Sequence, residues 1–228
     1  MLLPRLCVRI LLQTTIFGAL LFVPAGTLDW WQAWVLLALI AVGTIVTIAA
    51  LFPRHAGILE ERLKPPLQAG QPLVDKVLVC ILLVAVFGAT AFVPVDVFRL
   101  HLLLGRPPFA VSLFGVVLFG AGWWLSYRTL VENAFAALAV RRQPERHQHV
   151  VDTGVYAVVR HPMYAGAVLF FIGMALWLGS LAGTLAMLAP TAVLIIRITF
   201  EERFLRSQLD GYDAYTRRVR WRLIPGIW

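Results

Sequence analysis

Four stretches of the chain contain no charged side chain, at residues 10–28, 30–53, 77–95 and 107–127. Each is close to the length of about 20 apolar residues that a helix needs to cross a bilayer. Only 14% of the residues are charged and 60% are hydrophobic, whereas about a quarter of a soluble domain is charged. The sequence therefore predicts four membrane-spanning helices.

A fifth apolar stretch, residues 162–196, is too long for a single crossing at about 1.5 Å per residue. Gly179, Ser180 and Gly183 interrupt it near its middle. We predict that it folds back as a helical hairpin whose two legs are short for a full crossing. The predicted fold class is an all-α integral membrane protein with four spanning helices and a C-terminal hairpin.

The basic residues are distributed unevenly between the connecting segments. If the helices cross in sequence order, 18 of the 20 lysines and arginines fall on one side of the membrane. Because cytoplasmic loops are enriched in these residues, we expect both termini and the two long polar loops to be cytoplasmic. The net charge of +8 is thereby explained by topology and attraction to anionic lipid, and no nucleic-acid partner is expected.

Two further features bear on localisation. Arginine outnumbers lysine by 18 to 2, which is typical of a GC-rich bacterial genome, so we predict the bacterial inner membrane. Residues 1–26 share features with a signal peptide, but their apolar run is long and no secreted domain follows. We expect a retained helix. Neither the two cysteines nor the five histidines have metal-site spacing, so no metal is expected.

Polar residues that could do chemistry are concentrated in the last hundred residues. We divide the chain into a scaffold, residues 1–131, and a C-terminal catalytic region, residues 132–228. The hairpin returns Arg197 to the same membrane face as His161, so the loop before the hairpin and the segment after it can meet there. The active site is predicted at this face, toward the cytoplasm.

The loop at residues 52–66 mixes apolar and charged side chains. Ile58 and Leu59 could lie on the membrane surface while Glu61, Arg62 and nearby charges face water. This pattern indicates an interfacial helix that ends at two prolines. It is interpreted as a surface anchor, with a lid over the site as the alternative.

The segment GVYAVVRHPMYAG, residues 154–166, is a turn-prone start to an apolar helix. Proline is favoured at the first helical position, and a helix N-terminus suits an anion. His161 is either a ligand contact or a polar cap. Tyr156 and Tyr164 either bind a ligand or lie at the membrane interface, and Gly154 allows a turn or close backbone approach.

Arg197 and Glu201 are four residues apart, on one face of the last long helix. Arg197 begins at the edge of the apolar layer, where an ionisable residue is a functional candidate, and snorkelling to the interface is the alternative. Glu202 points in a different direction from the same helix, where it could as easily be solvated as take part in the site.

These residues resemble the isoprenylcysteine carboxyl methyltransferase family, to which phospholipid N-methyltransferases are similar. The resemblance covers residues 132–228 and includes the RHPMY segment, the Arg197/Glu201/Glu202 cluster and the GYDAY and RLIPGIW motifs. It implies an integral membrane methyltransferase that uses S-adenosylmethionine without a Rossmann domain. The implied cofactor-binding residues are Gln148, His149, Val150, Val151, Gly154, Tyr156, His161, Pro162, Met163, Tyr164 and Glu201, and Arg197 is the implied catalytic residue.

Methyl transfer from a sulfonium is an in-line displacement that depends on positioning and water exclusion more than on a strong base. This accounts for a site without an evident nucleophile or acid–base pair. The acceptor is predicted to be a lipophilic or small molecule offering a carboxylate, a thiol or a lipid headgroup. The alternatives are an intramembrane NADPH-dependent reductase and a non-catalytic transporter or assembly protein.

Overall fold

The computed structural model describes residues 2–103, 105, 107–141, 143 and 146–228. Within this part of the chain the regular structure is helical and no strand forms. A π-helical turn, Asp96–Leu100, extends the third helix, and a 3-10 turn, Gly154–Ala157, precedes the fifth. The helices are α1 (Leu2–Ala25), α2 (Trp31–Leu63), α3 (Leu73–Val95), α4 (Phe109–Glu132), α5 (Pro162–Trp177), α6 (Leu181–Ala186), α7 (Leu188–Gln208) and α8 (Tyr212–Arg218).

Five helical segments in the described chain are long and apolar enough to cross a membrane. Four of them overlap most of the four predicted charge-free stretches, which confirms the all-α membrane fold. The fifth joins α6 and α7 into 28 residues, Leu181–Gln208. The hairpin is thus present, with α5 of 16 residues as its short leg. Its second leg is longer than we expected, because the charged turns beyond residue 196 continue the helix.

The hairpin turn forms where small residues permit it. Gly179 adopts a φ of 83°, in the left-handed region that favours glycine. The Oγ of Ser180 caps α6 by accepting a hydrogen bond from the Gly183 N–H at 2.7 Å. The same hydroxyl donates to the buried carboxylate of Asp96 at 2.5 Å. The turn is therefore tied to the end of α3.

The segment at residues 52–66 differs from the predicted surface helix. It continues α2 past Pro53 and a kink at His55, where φ is −132° and ψ is 33°. Ile58 and Leu59 are buried in a cluster of apolar side chains. The expectation that Glu61 faces water is wrong, because its side chain is 3% exposed and pairs with Lys64 and Arg141.

Helices α4 and α5 pack with their backbones in direct contact. Gly122 faces Gly166, and a Cβ at residue 122 would lie 2.4 Å from the Gly166 carbonyl oxygen. Gly115 and Gly173 make a second close approach one heptad away, where a Cβ at residue 173 would lie 2.4 Å from the Phe119 nitrogen. Small residues allow such approach in membrane helices. This contact fixes how α5 lies against α4 and so constrains where the polar segment before α5 lies.

We predict that Gly122→Ala destabilises the protein while Gly120→Ala, on the same helix, does not. A Cβ at residue 122 meets backbone atoms of α5, whereas one at residue 120 meets nothing within 4 Å. Alanine also favours a helix over glycine by about 1 kcal/mol. Thermal unfolding in detergent should show a lower midpoint for Gly122→Ala only. Equal midpoints for the two variants would contradict the close backbone contact.

Candidate functional site

One cavity lies where the loop after α4, the start of α5, the polar end of α7 and α8 meet. Four elements that are distant in sequence supply its walls. Its described lining includes the aromatic rings of Phe135, Tyr156, Tyr164, Tyr212 and Tyr215. The structure therefore brings the loop and the C-terminal segment together, as we predicted from the hairpin.

The structure brings ten of the twelve predicted site residues together around this cavity. Gly154 and Arg197 do not line it. The ten that do are Gln148, His149, Val150, Val151, Tyr156, His161, Pro162, Met163, Tyr164 and Glu201.

Gly154 lies beside the cavity and shapes the loop. Its φ of +55° is in the left-handed region, and a Cβ there would lie 2.4 Å from the carboxyl group of Glu132. Glycine is therefore required both by the backbone conformation and by the end of α4. Its contribution to a bound ligand would be indirect.

Glu202 is the centre of a buried ionic cluster. Its side chain is 4% exposed, and one of its oxygens accepts a hydrogen bond from Nε of Arg160 at 2.6 Å. His161 Nε2 lies 3.2 Å from the same oxygen, and Arg222 Nε donates to the other at 3.0 Å. The expectation that Glu202 could face solvent as readily as take part in the site is wrong, because its side chain is buried. Its helical position turns it away from the cavity toward these three partners.

The cluster joins the final residues, 219–228, to the start of α5. Nη1 of Arg160 donates to the carbonyl oxygens of Val219 at 2.7 Å and Arg220 at 2.9 Å. The backbone N–H groups of Arg160 and His161 donate to the carbonyls of Trp221 and Arg222, each at 2.9 Å. The final segment is thus bound to the residues that immediately precede Pro162.

Glu201 provides the sole carboxylate among the described lining residues. The hydroxyl of Tyr164 donates to one of its oxygens at 2.5 Å, and the Tyr164 ring stacks on that of His161 with centroids 5.5 Å apart. In the described part of the chain, no cationic side chain lies within ion-pair distance of Glu201. Glu201 thus lacks an ion-pair partner among the described residues, and Arg197, which is itself paired with Asp75, acts on its charge only electrostatically.

Arg197 is occupied by a buried ion pair. Its Nε donates to Asp75 Oδ1 at 2.8 Å, and its Nη2 donates to the Leu138 carbonyl at 2.6 Å. The Asp75 carboxylate also accepts from the Val140 N–H at 3.0 Å and from Gln71 at 2.5 Å. The pair attaches the loop after α4 to α3. Asp75 was not among the predicted residues, although an acidic side chain at the start of an apolar helix is a detectable signal.

The tyrosines of the cavity are neutral hydrogen-bonding groups. Burial raises the pKa of Tyr156, Tyr212 and Tyr215 above the ordinary value for a phenol. Asn133 donates to the Tyr156 hydroxyl at 2.9 Å, and the Tyr215 hydroxyl donates to the Tyr156 carbonyl at 2.8 Å. These phenols therefore position the walls and offer ring faces, without acting as bases near neutral pH.

Helix α5 begins as predicted, with Pro162 in its first turn and His161 as the N-terminal cap. The His161 side chain makes no capping hydrogen bond. The N–H groups of Tyr164 and Ala165 both donate to the His161 carbonyl at 3.1 Å. Two donors of the first turn are thereby already used. No group of three or more potential metal-ligating residues occurs in the described chain.

Two comparisons with known proteins bear on the function of this chain. Residues 111–210, which contain most of α4, the loop and the hairpin, match the phospholipid methyltransferase family. The chain is also 32% identical over 102 residues to a protein-S-isoprenylcysteine O-methyltransferase of Schizosaccharomyces pombe, which is 43% of each protein. The chain thus spans less than half the length of this curated relative. The matches confirm the predicted resemblance of this membrane protein to the isoprenylcysteine carboxyl methyltransferase and phospholipid methyltransferase families.

Proposed function

We propose that this integral membrane protein is a methyltransferase that takes its methyl group from S-adenosylmethionine. The observation that supports this most directly is the carboxylate of Glu201, which has no ion-pair partner among the described residues and lies in a cavity lined by aromatic rings. The donor offers the complementary groups, namely a sulfonium, an ammonium and an adenine. The family match covers the loop after α4, the start of α5 and the polar end of α7, which line this cavity together with α8.

The residues of the cavity match the chemical groups of S-adenosylmethionine one by one. Glu201 would bind the ammonium, since a buried carboxylate is stable when paired with a cation. Tyr156, Tyr212 and Phe135 offer ring faces to the adenine. At the start of α5 the Met163 N–H is the remaining donor for the carboxylate, because Pro162 has no N–H and the next two residues bond to His161.

S-adenosylmethionine supplies a methyl carbon that its sulfonium already activates. The acceptor atom forms the new bond to that carbon while the carbon–sulfur bond breaks and the sulfur keeps the electron pair. An anionic acceptor oxygen loses its charge in this step and no proton has to move. The protein's task is therefore to align the two reactants and exclude water, which the segment at residues 219–228 and the loop after α4 would accomplish.

The acceptor is proposed to be lipophilic or small, because the cavity lies against helices that are long and apolar enough to span a bilayer. The activity that names the yeast relative, O-methylation of an isoprenylcysteine, is of this kind. The asymmetric distribution of basic residues supports a site at the cytoplasmic face of a bacterial inner membrane. Residues 132–228 would be the catalytic region and residues 1–131 its scaffold.

Arg197 is proposed to act as a positioning residue. Its guanidinium is 6% exposed and hydrogen-bonded to Asp75 and to the loop carbonyl of Leu138. It lies over the ring of Tyr164, 5.7 Å from its centroid. These contacts place Arg197 behind the cavity wall, where it supports Tyr164 and the loop.

The adjacent glutamates allow a matched test of cofactor binding. We predict that Glu201→Gln leaves the melting temperature of the purified protein nearly unchanged and removes most of the stabilisation by S-adenosylmethionine. A lost charge-assisted contact in a desolvated site is worth about 2–5 kcal/mol. Differential scanning fluorimetry with excess S-adenosylmethionine, and with NADPH in parallel, measures this. Stabilisation by NADPH alone, or by neither compound, contradicts the proposal.

We predict the opposite pattern for Glu202→Gln. This change leaves Arg160 and Arg222 without their carboxylate, and breaking a buried ion pair costs about 3–5 kcal/mol. The melting temperature without cofactor should fall clearly below that of wild type and of Glu201→Gln. If the two variants were equally stable without ligand, the division between a structural and a ligand-binding glutamate would be wrong.

A double-mutant cycle tests the role of Arg197. We predict that Arg197→Gln and Asp75→Asn each increase trypsin cleavage after Arg141 or Arg146, because either change releases the loop that Asp75 and Arg197 hold. The double variant should be cleaved little more than either single variant, since both remove one interaction. A loop that is cleaved faster in Arg197→Gln but not in Asp75→Asn contradicts the positioning role.

Methyl transfer itself can be measured directly. Purified protein in liposomes made from bacterial lipid should move labelled methyl groups from S-adenosylmethionine to an extractable lipid or small molecule. Glu201→Gln should lose most of this transfer. Identification of the labelled product by mass spectrometry names the acceptor.

A further inference from the structure

Arg62 on the kinked end of α2 differs from the other arginines at this site. Arg160 and Arg197 each bind a buried carboxylate, at 2.6 Å and 2.8 Å. Arg62 is partly buried, and its Nη1 donates to the sulfur of Met163 at 3.3 Å. No carboxylate lies within ion-pair distance of Arg62 in the described part of the chain. A thioether is a weak acceptor, so the guanidinium charge is essentially uncompensated.

A second positive charge lies near Arg62. Arg9, on α1, is close enough to repel it electrostatically. Arg9 is exposed whereas Arg62 is partly buried, and a partly buried guanidinium near a second positive charge is costly without an anion. The protein tolerates this cost at a position that the kink at His55 creates. Such an arrangement is typical of a site whose counter-charge comes from a ligand.

The position of Arg62 relative to the cavity indicates which ligand this is. Arg62 does not line the cavity itself and contacts it through Met163, which does. Arg9 and Arg62 belong to helices long and apolar enough to span a bilayer. Arg62 thus approaches the cavity from α2 through Met163, whereas the carboxylate of Glu201 lines the cavity itself.

We propose that Arg62, assisted by Arg9, binds the anionic group of a lipophilic methyl acceptor, a carboxylate or a phosphate. This inference rests on the proposed function and deepens it by assigning the residue that recognises the acceptor. Where the anionic group is a carboxylate that itself accepts the methyl group, its methylation removes the charge that Arg62 recognises. The neutral product would then be held more weakly than the substrate, which favours its release into the lipid.

The test uses thermal unfolding of the purified full-length protein in a non-ionic detergent, with and without single-chain amphiphiles. The probes are dodecanoate, dodecyl phosphate, dodecylamine and inorganic phosphate. Wild type should be stabilised by one or both anionic amphiphiles, and not by the amine or by inorganic phosphate alone. The relative size of the carboxylate and phosphate shifts indicates whether the acceptor is an acid or a phospholipid.

Arg62→Gln should raise the concentration for half-maximal stabilisation by the anionic amphiphile about tenfold or more, the effect of losing one charge-assisted contact. Arg54→Gln, which changes an exposed arginine on the same helix, is the matched control and should behave as wild type. Arg62→Lys should recover part of the effect, because it keeps the charge without the planar fork. Without ligand, Arg62→Gln should be at least as stable as wild type, since it removes an unpaired charge.

Three results overturn the proposal. The first is an equal response of wild type and Arg62→Gln to the anionic amphiphiles, and the second is equal stabilisation by the amine or by inorganic phosphate. The third is loss of S-adenosylmethionine stabilisation in Arg62→Gln, which would assign the arginine to the donor's carboxylate. If S-adenosylmethionine does not stabilise the wild-type protein, the proposed methyltransferase function fails. This outcome is measured separately from the response to the amphiphiles.

Discussion

The buried carboxylate of Glu202 is the interaction on which the geometry of the site depends. A carboxylate with 4% exposure is stable only if its charge is matched, and its partners come from two segments distant in sequence. Arg160 and His161 precede α5, and Arg222 belongs to the final segment. Because Arg160 and His161 are adjacent to Pro162, neutralising Glu202 also determines where α5 starts. The cavity forms between the elements that this cluster joins.

Glu201, the residue before Glu202 on α7, has a different role. Successive residues on a helix point about 100° apart, so Glu202 faces the cluster while Glu201 faces the cavity. Glu201 has a tyrosine partner and Arg62 has a thioether partner, and neither has an oppositely charged side chain within ion-pair distance among the described residues. A cationic methyl donor and an anionic acceptor would supply the two missing charges. The stability lost to these unpaired groups is typical of a binding site.

The sequence was sufficient for the large features of the fold. Charge-free runs predicted the spanning segments, and Gly179, Ser180 and Gly183 predicted the turn that folds the hairpin. Pro162 predicted the start of α5. These features follow from local composition, since helix breaking and bilayer thickness act on contiguous residues. The residues predicted to bind a cofactor were inferred from a family resemblance, and most of them surround one cavity.

The charge pairings could not be predicted from the sequence. Asp75 and Arg197 are 122 positions apart, and their contact depends on how α3 and α7 are rotated about their axes. The burial of Glu61 depends on the kink at His55, which turns the end of α2 inward. Glu201 and Glu202 are the same type of residue at consecutive positions. A difference of one helical step decides which of the two carboxylates is neutralised. Such features are decided by packing between distant segments.

Hydrogen–deuterium exchange of the purified protein, with and without S-adenosylmethionine, tests most directly whether the loop, the start of α5 and the final segment form one binding site. The account predicts ligand-dependent protection in peptides from residues 133–164 and 197–223 together, with no change in residues 31–50. Protection confined to the first four helices, or to only one of the two C-terminal stretches, would contradict it.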